Sequence, residues 1–556
     1  MSQSEVISAN IGGQPVLILR EGTQRSTGKE AQKNNIMAAK IVSESVRSSL
    51  GPKGMDKMLV DSFGDVTVTN DGATILKEID VQHPAAKMMV EVSKAQDDEV
   101  GDGTTTAVVL AGELLSKAED LIDKEIHPTV IVDGYRKASE KTLELLKDIS
   151  TKVDPDDKNV LRKVAIVSQI SKLLADHADF IADLTVEAVL HVAEKTAEGY
   201  KIDIEDIKVE KKAGESLTDT RLIKGIVLDK EVIHTGMPKR LDNPKIALLN
   251  CPLEVEKTEF DAKINIQKPD QIKAFLDEEE NLLKDMVEKL SSSGANLMIC
   301  QKGIDDMAQH YLAKKGITAV RRASEKDLEK LTRATGARIV ANVNDLSSKD
   351  LGTAGLFEER KIGDDKMTFI EECKSPKAVT ILIRGATERI INEAERSIHD
   401  ALCVVRDVVR DPRIVIGGGA IEVELSSSLD EWAEKESGRE QLAIKAFAES
   451  LEAIPTILAE NAGLDPIDIM VNLRAAHEKG EKWAGIDLFE GKIKDLYKEG
   501  VYEPAVVKEQ VVKSAGEATN MILKIDDVIA SSKTREGPMP PGGGPPGGMG
   551  GEEGLE

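Results

Sequence analysis

The run Gly101-Asp102-Gly103-Thr104-Thr105-Thr106 constrains this chain more than any other feature. Behind it Ala107, Val108, Ala111, Leu114, Leu115, Ala118 and Leu121 recur at helical spacing, so the run predicts a helix start. The first turn of a helix carries unpaired N–H groups and the positive end of the dipole, a combination that attracts anions. Gly101 and Gly103 remove side chains that would hold a polyphosphate away from the backbone. Asp102 sets a carboxylate where a cation is needed to reconcile it with phosphate, which points to a Mg2+ ligand. The threonines are expected to cap the helix and to donate hydroxyls to phosphate oxygens. A capped helix start explains a lone Asp-Gly-Thr. The whole run is better explained by nucleotide binding without a Walker lysine.

The 556 residues exceed one compact core and predict roughly two to four domains. Acidic residues outnumber basic ones by 99 to 74, and the net charge of −25 repels a phosphate backbone, which argues against general nucleic-acid binding. Charged residues at 31% with aromatics at 3% suit the ion-pair networks of a thermophile and equally a bland helical protein. Cys251, Cys300, Cys373 and Cys403 are too scattered for metal spacing and are expected to be buried thiols. No apolar run has membrane-spanning length, and Met1 to Glu5 lack the regions of a signal peptide, so a cytoplasmic protein with no membrane partner is expected.

The first part reads as helical. A helix over 34–50 breaks at Gly51-Pro52, and Pro84 opens another. Met58 to Val60 and Val66 to Thr69 predict a hairpin around Asp61-Ser62-Phe63-Gly64-Asp65. The polar turn Asp154-Pro155-Asp156-Asp157 marks a domain boundary. In the middle, strand-like runs at 296–300, 317–320 and 337–340 alternate with helices at 304–315 and 324–335, which predicts a small parallel α/β unit. No G-x-G-x-x-G follows its strands. The charged stretch 254–293 before it has an apolar stripe including Ile272, Leu283, Val287 and Leu290. Its interruption by Asp277-Glu278-Glu279-Glu280 predicts two helical pieces, the first projecting outward. Ile390 to Val408 predicts one long amphipathic helix ended by Pro412, and 522–529 reads as a strand with no partner nearby in sequence. From Thr534 onward Gly, Pro, Met and Glu form a tail without the strict three-residue period of collagen.

Other candidates are weak when taken singly. Leu50-Gly51-Pro52-Lys53-Gly54 is a glycine turn and matches no P-loop; Asn70-Asp71-Gly72-Ala73-Thr74 reads as a turn entering a helix. Gly417-Gly418-Gly419 is either a tight turn or a close approach to a ligand. Asp400 lies off the apolar stripe of its helix, and by itself reads as a solvated polar residue.

Taken together, in order and spacing, these motifs resemble the chaperonins over nearly the whole chain, with Ser397-Ile398-His399-Asp400-Ala401-Leu402 completing the set. The insertion around Phe260-Asp261-Ala262-Lys263-Ile264 is similar to the helical protrusion of the group II class, and the tail most to archaeal thermosome subunits. The resemblance implies a mostly α equatorial ATPase domain (1–152 and 411–533), a small intermediate hinge domain (153–223 and 375–410) and an α/β apical domain (224–374). The apical domain would carry a lid protrusion at about 254–280, and 534–556 would be a flexible tail. It implies ATP and Mg2+ as cofactors, with Leu50, Gly51, Pro52, Asp102, Gly103, Thr104, Thr105, Thr106 and Gly418 on the nucleotide and Mg2+ on Asp102. Asp71 and Asp400 match the carboxylates that orient the attacking water, which suits a reaction governed by positioning. Lys172 resembles a γ-phosphate sensor, and Asp487 and Glu503 match residues at the ribose and adenine, Glu503 replacing an aspartate of the bacterial class. Partners would be unfolded proteins and like or related subunits in stacked rings, with no separate lid protein.

Two other classes fit less well. A kinase or ligase needs an acceptor pocket, and no further His, Cys or Lys constellation points to one. A nucleotide-binding scaffold needs neither Asp71 nor Asp400.

Overall fold

Both ends of the chain contribute to one apolar cluster. In the computed structural model, which describes residues 8–11, 14–17, 24–172, 175–197, 199–255, 269–374 and 377–530, Val46, Met89, Leu114 and Tyr135 share that cluster with Ile444, Phe447, Leu473 and Val512. The helix Thr104–Asp123 runs through its middle, against Gly28–Arg47, Pro84–Val100, Glu440–Leu451 and Ala505–Leu523. Tyr135 meets Phe447 edge-on at 5.7 Å between ring centroids, and its hydroxyl donates to the Leu114 carbonyl at 2.9 Å. The phenol is thus buried with its polar end satisfied.

A second cluster forms where the helices Lys158–Gln169 and Ala178–Val192 meet Glu388–Arg410, with Leu161, Ile181 and Val189 beside Ile398, Leu402 and Val405. Two chain passes leave it side by side: Ile207–Ala213 pairs in parallel with Val379–Gly385. Beyond them lies a third cluster built on a parallel sheet of strand order Thr318–Val320, Leu297–Cys300, Lys245–Leu249, Ile339–Val340, with Gly352–Thr353 antiparallel on Lys245–Leu249. The predicted strands and helices of this unit are present, and Lys245–Leu249, which no local pattern marks as a strand, joins them. A second, antiparallel sheet of Gly225–Leu228, Asp365–Glu371, Leu356–Ile362 and Arg240–Asp242 flanks it.

Several expectations change. Pro269–Ser293 is one continuous helix, so Asp277 to Glu280 do not break it. Glu is a good helix former, and Glu280 pairs with Lys284 one turn on at 2.6 Å while accepting from the Tyr311 hydroxyl. Of the expected protrusion, 256–268 lies outside the described residues, as does the tail from 534. The predicted strand at 522–529 is shorter: the helix Ala505–Leu523 covers its start, and Asp527–Ala530 pairs with Gln24–Thr27 from the other end of the chain. The hairpin Lys57–Val60 with Val66–Thr69 forms as predicted, with Met58, Val60 and Phe63 exposed. Cys300, Cys373 and Cys403 are buried, Cys251 is partly buried, and the Cys300 thiol donates to the Cys251 carbonyl at 3.2 Å. No helix among the described residues is long and apolar enough to cross a membrane.

Candidate nucleotide site

The helix Pro84–Val100 stops at Gly101, whose φ of 70° is left-handed and whose N–H donates to the Asp97 carbonyl at 2.9 Å. A Cβ at Gly101 would also overlap the Cys403 side chain on the helix Glu388–Arg410. Glycine is required there twice, by backbone conformation and by the approach of another helix. Gly103, again left-handed, is the N-cap of Thr104–Asp123 and no side chain caps the helix. The expected threonine cap is therefore absent. Thr104 is already the first helical residue, and its hydroxyl turns to Asp71 Oδ1 at 3.3 Å. Asp102 Oδ1 accepts from the Gly103 N–H at 2.7 Å, and Gln96 Nε2 donates to the Asp102 carbonyl at 2.8 Å.

Asp71 caps the helix Gly72–Glu78, its Oδ2 accepting from the Thr74 N–H at 2.9 Å and the Thr74 hydroxyl at 2.7 Å. Lys172 lies just beyond Lys158–Gln169, and its Nζ is 2.5 Å from Asp400 Oδ2 with both side chains buried. Asp400 is 7% exposed, which corrects its reading as a solvated residue. Both sides of its helix are covered: Ile398, Leu402 and Val405 face the second cluster, while Cys403 faces Gly101. Asn70 Nδ2 donates to the Ser171 carbonyl and Gln169 Nε2 to the Ser397 carbonyl, the latter at 2.6 Å. These two amides tie the turn at Asn70 and the helix Glu388–Arg410 to the end of Lys158–Gln169 and the turn after it, a role the sequence did not show for either.

A second group forms around the other predicted residues. Asn461 Nδ2 holds the Leu50 carbonyl at 2.9 Å, and Gly51 and Pro52 turn the chain so that Lys53 stands 4.8 Å over the Phe489 ring. Phe489 and Glu490 donate their N–H groups to Asp487 Oδ1 at 3.0 Å, and Lys494 holds Asp487 Oδ2 at 2.8 Å. Asp487 is thus engaged within its own turn. The Ile486 N–H donates to the Gly418 carbonyl at 2.9 Å, and Val415 pairs with Glu503 across the strands Arg413–Ile416 and Tyr502–Pro504. Glu503 borders Gly417 so closely that a Cβ there would overlap its carboxylate. Lys508 and Glu422 behind it were missed, since a lone lysine and a helical glutamate carry no local signal.

Electrostatics divide the carboxylates. Burial opposes the charge on Lys172, but Asp400, Asp71 and Asp102 overcome it and hold its proton affinity above the ordinary lysine range. Burial also raises Asp71, yet Lys172 and the bonds from Thr74 outweigh this and keep it ionised below the usual range. Burial raises Asp102, with only partial relief from Lys172 and the Gly103 N–H. Asp400 is pushed well above the carboxylate range by burial, against the pull of Lys172. Asp97, another residue the sequence did not flag, is raised by burial and by Asp71. One lysine serves several acids, and burial leaves Asp97, Asp102 and Asp400 holding a proton more tightly than free carboxyls.

A glycine-flanked helix start, buried acids and one buried lysine are thus drawn together from distant parts of the chain. The chain matches the TCP-1/cpn60 chaperonin family over residues 42–533 and belongs to that family. It is 59% identical to a thermosome subunit of Methanopyrus kandleri over 519 residues, 93% of this chain and 95% of the relative. A thermosome subunit of Pyrococcus horikoshii is 58% identical over 94% of this chain and 96% of its own length. The thermosome subunit alpha of Archaeoglobus fulgidus is 55% identical over 99% of this chain and all of its own. Membership brings with it a multidomain fold, the folding of other proteins, and ATPase activity as the family's general property.

Proposed function

We propose that this chain is a group II chaperonin subunit that binds and hydrolyses Mg-ATP and uses the cycle to enclose unfolded proteins in a double-ring chamber. In this reading 1–152 and 411–533 are the equatorial ATPase domain, 153–223 and 375–410 the intermediate hinge, and 224–374 the apical domain. Residues 254–280 serve as the lid, so no separate lid protein is needed. The partners are unfolded clients and like or related subunits in the cytoplasm, without nucleic acid or membrane. The three apolar clusters, one of them shared by both chain ends, support this division.

The observation that carries the reading is the Lys172–Asp400 pair beside Asp71 and Asp102. Leu50, Gly51, Pro52, Gly103 to Thr106, Gly418, Asp487 and Glu503 hold the nucleotide, and Lys172 meets its terminal phosphate. Asp102 fits a Mg2+ ligand because it lies among carboxylates that Lys172 does not fully neutralise. No group of three or more His, Cys, Asp and Glu side chains is assembled for a metal among the described residues. That also fits Mg2+, which takes one or two carboxylates together with substrate phosphates. Bound there, the ion supplies charge neutralisation on the phosphates. Asp71, fixed by Thr74, orients a water. Asp400, its carboxylate held by Lys172, accepts that water's proton as the water attacks. Because Asp400 stands on Glu388–Arg410 and Lys172 after Lys158–Gln169, movement of those helices assembles or dismantles the site, which links hydrolysis to closure.

Negative-stain microscopy with a steady-state ATPase assay tests the proposal. Stacked rings and Mg-dependent hydrolysis are expected. A monomer, or rings that do not hydrolyse ATP, overturns it.

A further inference from the structure

Lys508 has no part in the scheme above, yet two carboxylates hold it in a largely covered position. Its ammonium lies 2.7 Å from Glu503 Oε2 and 2.8 Å from Glu422 Oε1, and its side chain is 11% exposed. Local folding brings the three together. Glu503 lies on the strand Tyr502–Pro504, Lys508 at the beginning of the helix Ala505–Leu523, and Glu422 in the first turn of Ala420–Ala433, directly after the Gly417 to Gly419 turn. Burial opposes the lysine charge, but Glu422 and Glu503 overcome it and hold its proton affinity above the ordinary range.

Two carboxylates share this lysine, and one of them stands against a glycine turn. The excess negative charge lies on the side of the glycine turn, where Glu503 Oε1 borders Gly417 while Oε2 is held by Lys508. Glu422 is buried to 5% exposure, so it acts as the anchor, with Glu503 as the more exposed arm at 24%. Both Glu503 and Lys508 are felt by Asp102, so the triad stands close to the phosphate cradle. An ionised carboxylate held beside a glycine turn accepts hydrogen bonds from hydroxyls and repels phosphate. Among the parts of a nucleotide, that chemistry excludes the phosphates and suits the ribose, which offers adjacent hydroxyl donors where the base offers one amino group.

We propose that Lys508 is a positioning residue for nucleotide specificity: anchored by Glu422, it fixes the Glu503 carboxylate in one orientation to accept from the ribose hydroxyls. The inference rests on the nucleotide site proposed above. Lys508 acts through Glu503 and touches no substrate.

The test is kcat and KM of the assembled protein for ATP and for 2′-deoxyATP. The wild type is expected to prefer ATP through KM. Lys508→Met should raise KM for ATP by about tenfold, the scale of losing a hydrogen bond to a charged group. KM for 2′-deoxyATP should move less, and kcat little for either. Lys508→Arg, which keeps the charge, should restore the preference. If Lys508→Met fails to assemble because two carboxylates lose their cation, Glu422→Gln/Lys508→Met removes one charge of each sign and should still lose discrimination. Glu503→Gln separates the two layers of the argument. Lost preference in Glu503→Gln with wild-type preference in the Lys508 variants overturns the role of Lys508. Wild-type preference in Glu503→Gln, or no preference in the wild type, overturns the ribose assignment and the inference with it.

Discussion

Charge is arranged in opposite ways at the nucleotide site and along the helix Glu325–Thr335. At the site Lys172 answers Asp71, Asp102 and Asp400 within a buried cluster, and the acids outnumber the cation. Along the helix, cations and anions alternate against the segment from Glu194 to Glu210. Lys208 meets Asp327 at 2.6 Å and Glu210 at 2.9 Å, Arg333 meets Asp206 at 2.9 Å, and Lys326 meets Glu205 at 3.4 Å. The first arrangement leaves acids that one lysine does not satisfy, which a polyphosphate with its cation can use. The second holds two parts of the chain in register, with Lys208, Asp206 and Asp327 largely covered and only Lys326–Glu205 open to water. Many acids around one buried lysine mark chemistry here, and cations spread along a helix to meet acids of another segment mark docking.

The largest effect expected from breaking this contrast is at Asp400. Asp400→Ala should leave ATP binding near normal and slow single-turnover hydrolysis by roughly 10²–10⁴-fold, the range for losing a positioned acid or base. Asp102→Ala should instead weaken Mg-ATP binding in an equilibrium titration. Equal loss of binding in both variants would merge the two roles. Gly101→Ala comes next. A left-handed alanine and the overlap with Cys403 should together cost about 1–3 kcal/mol in denaturant unfolding. Adding Cys403→Ala should return only the overlap portion.

The seam predicts smaller changes with signs that depend on pH. Burial raises Asp327, but Lys208 and Ser324 outweigh it and leave its carboxyl below the usual range. Its contribution is therefore present above the ordinary aspartate value and lost as pH falls through the folded one. Burial raises Asp206 to about 6, against Arg333. Its folded state binds the proton more tightly, so stability declines as pH rises from the ordinary value through about 6. Hydrogen exchange of the Glu325–Thr335 amides, corrected for intrinsic rate, should show Asp206→Asn flattening that decline and Asp327→Asn removing the acid-side loss. An Asp206→Asn profile parallel to wild type would show that burial does not govern this carboxyl. Smallest of all, Lys326→Ala should shift stability by no more than about 0.5 kcal/mol, since exposed pairs contribute little.

Much of this was legible locally. The helix after Gly103, the hairpin at 57–69, the proline start of Pro84–Val100 and the alternation around Leu297–Cys300 all follow from spacing and turn chemistry. The acidic run at 277–280 misled, because charge was read as a break where helix propensity and the Lys284 and Tyr311 partners favour continuation. Lys245–Leu249 was missed because a short apolar run beside a proline has no period to separate strand from loop, and only its neighbours make it central.

Sequence by itself determined the parts whose physics is short-ranged: helix starts, left-handed glycines, the apolar stripes, and the motif order by which the family is recognised. Only the tertiary structure decided which parts meet. Lys172 reaches Asp400 across 228 residues, and Asn70 reaches Ser171 across 101. Asp400 is buried because a second helical layer closes over it, and Glu503 is held because Lys508 and Glu422 converge from separate helices. Burial and long-range charge are properties of the assembled core. They set the proton affinities of the site, and no stretch of neighbouring residues contains them.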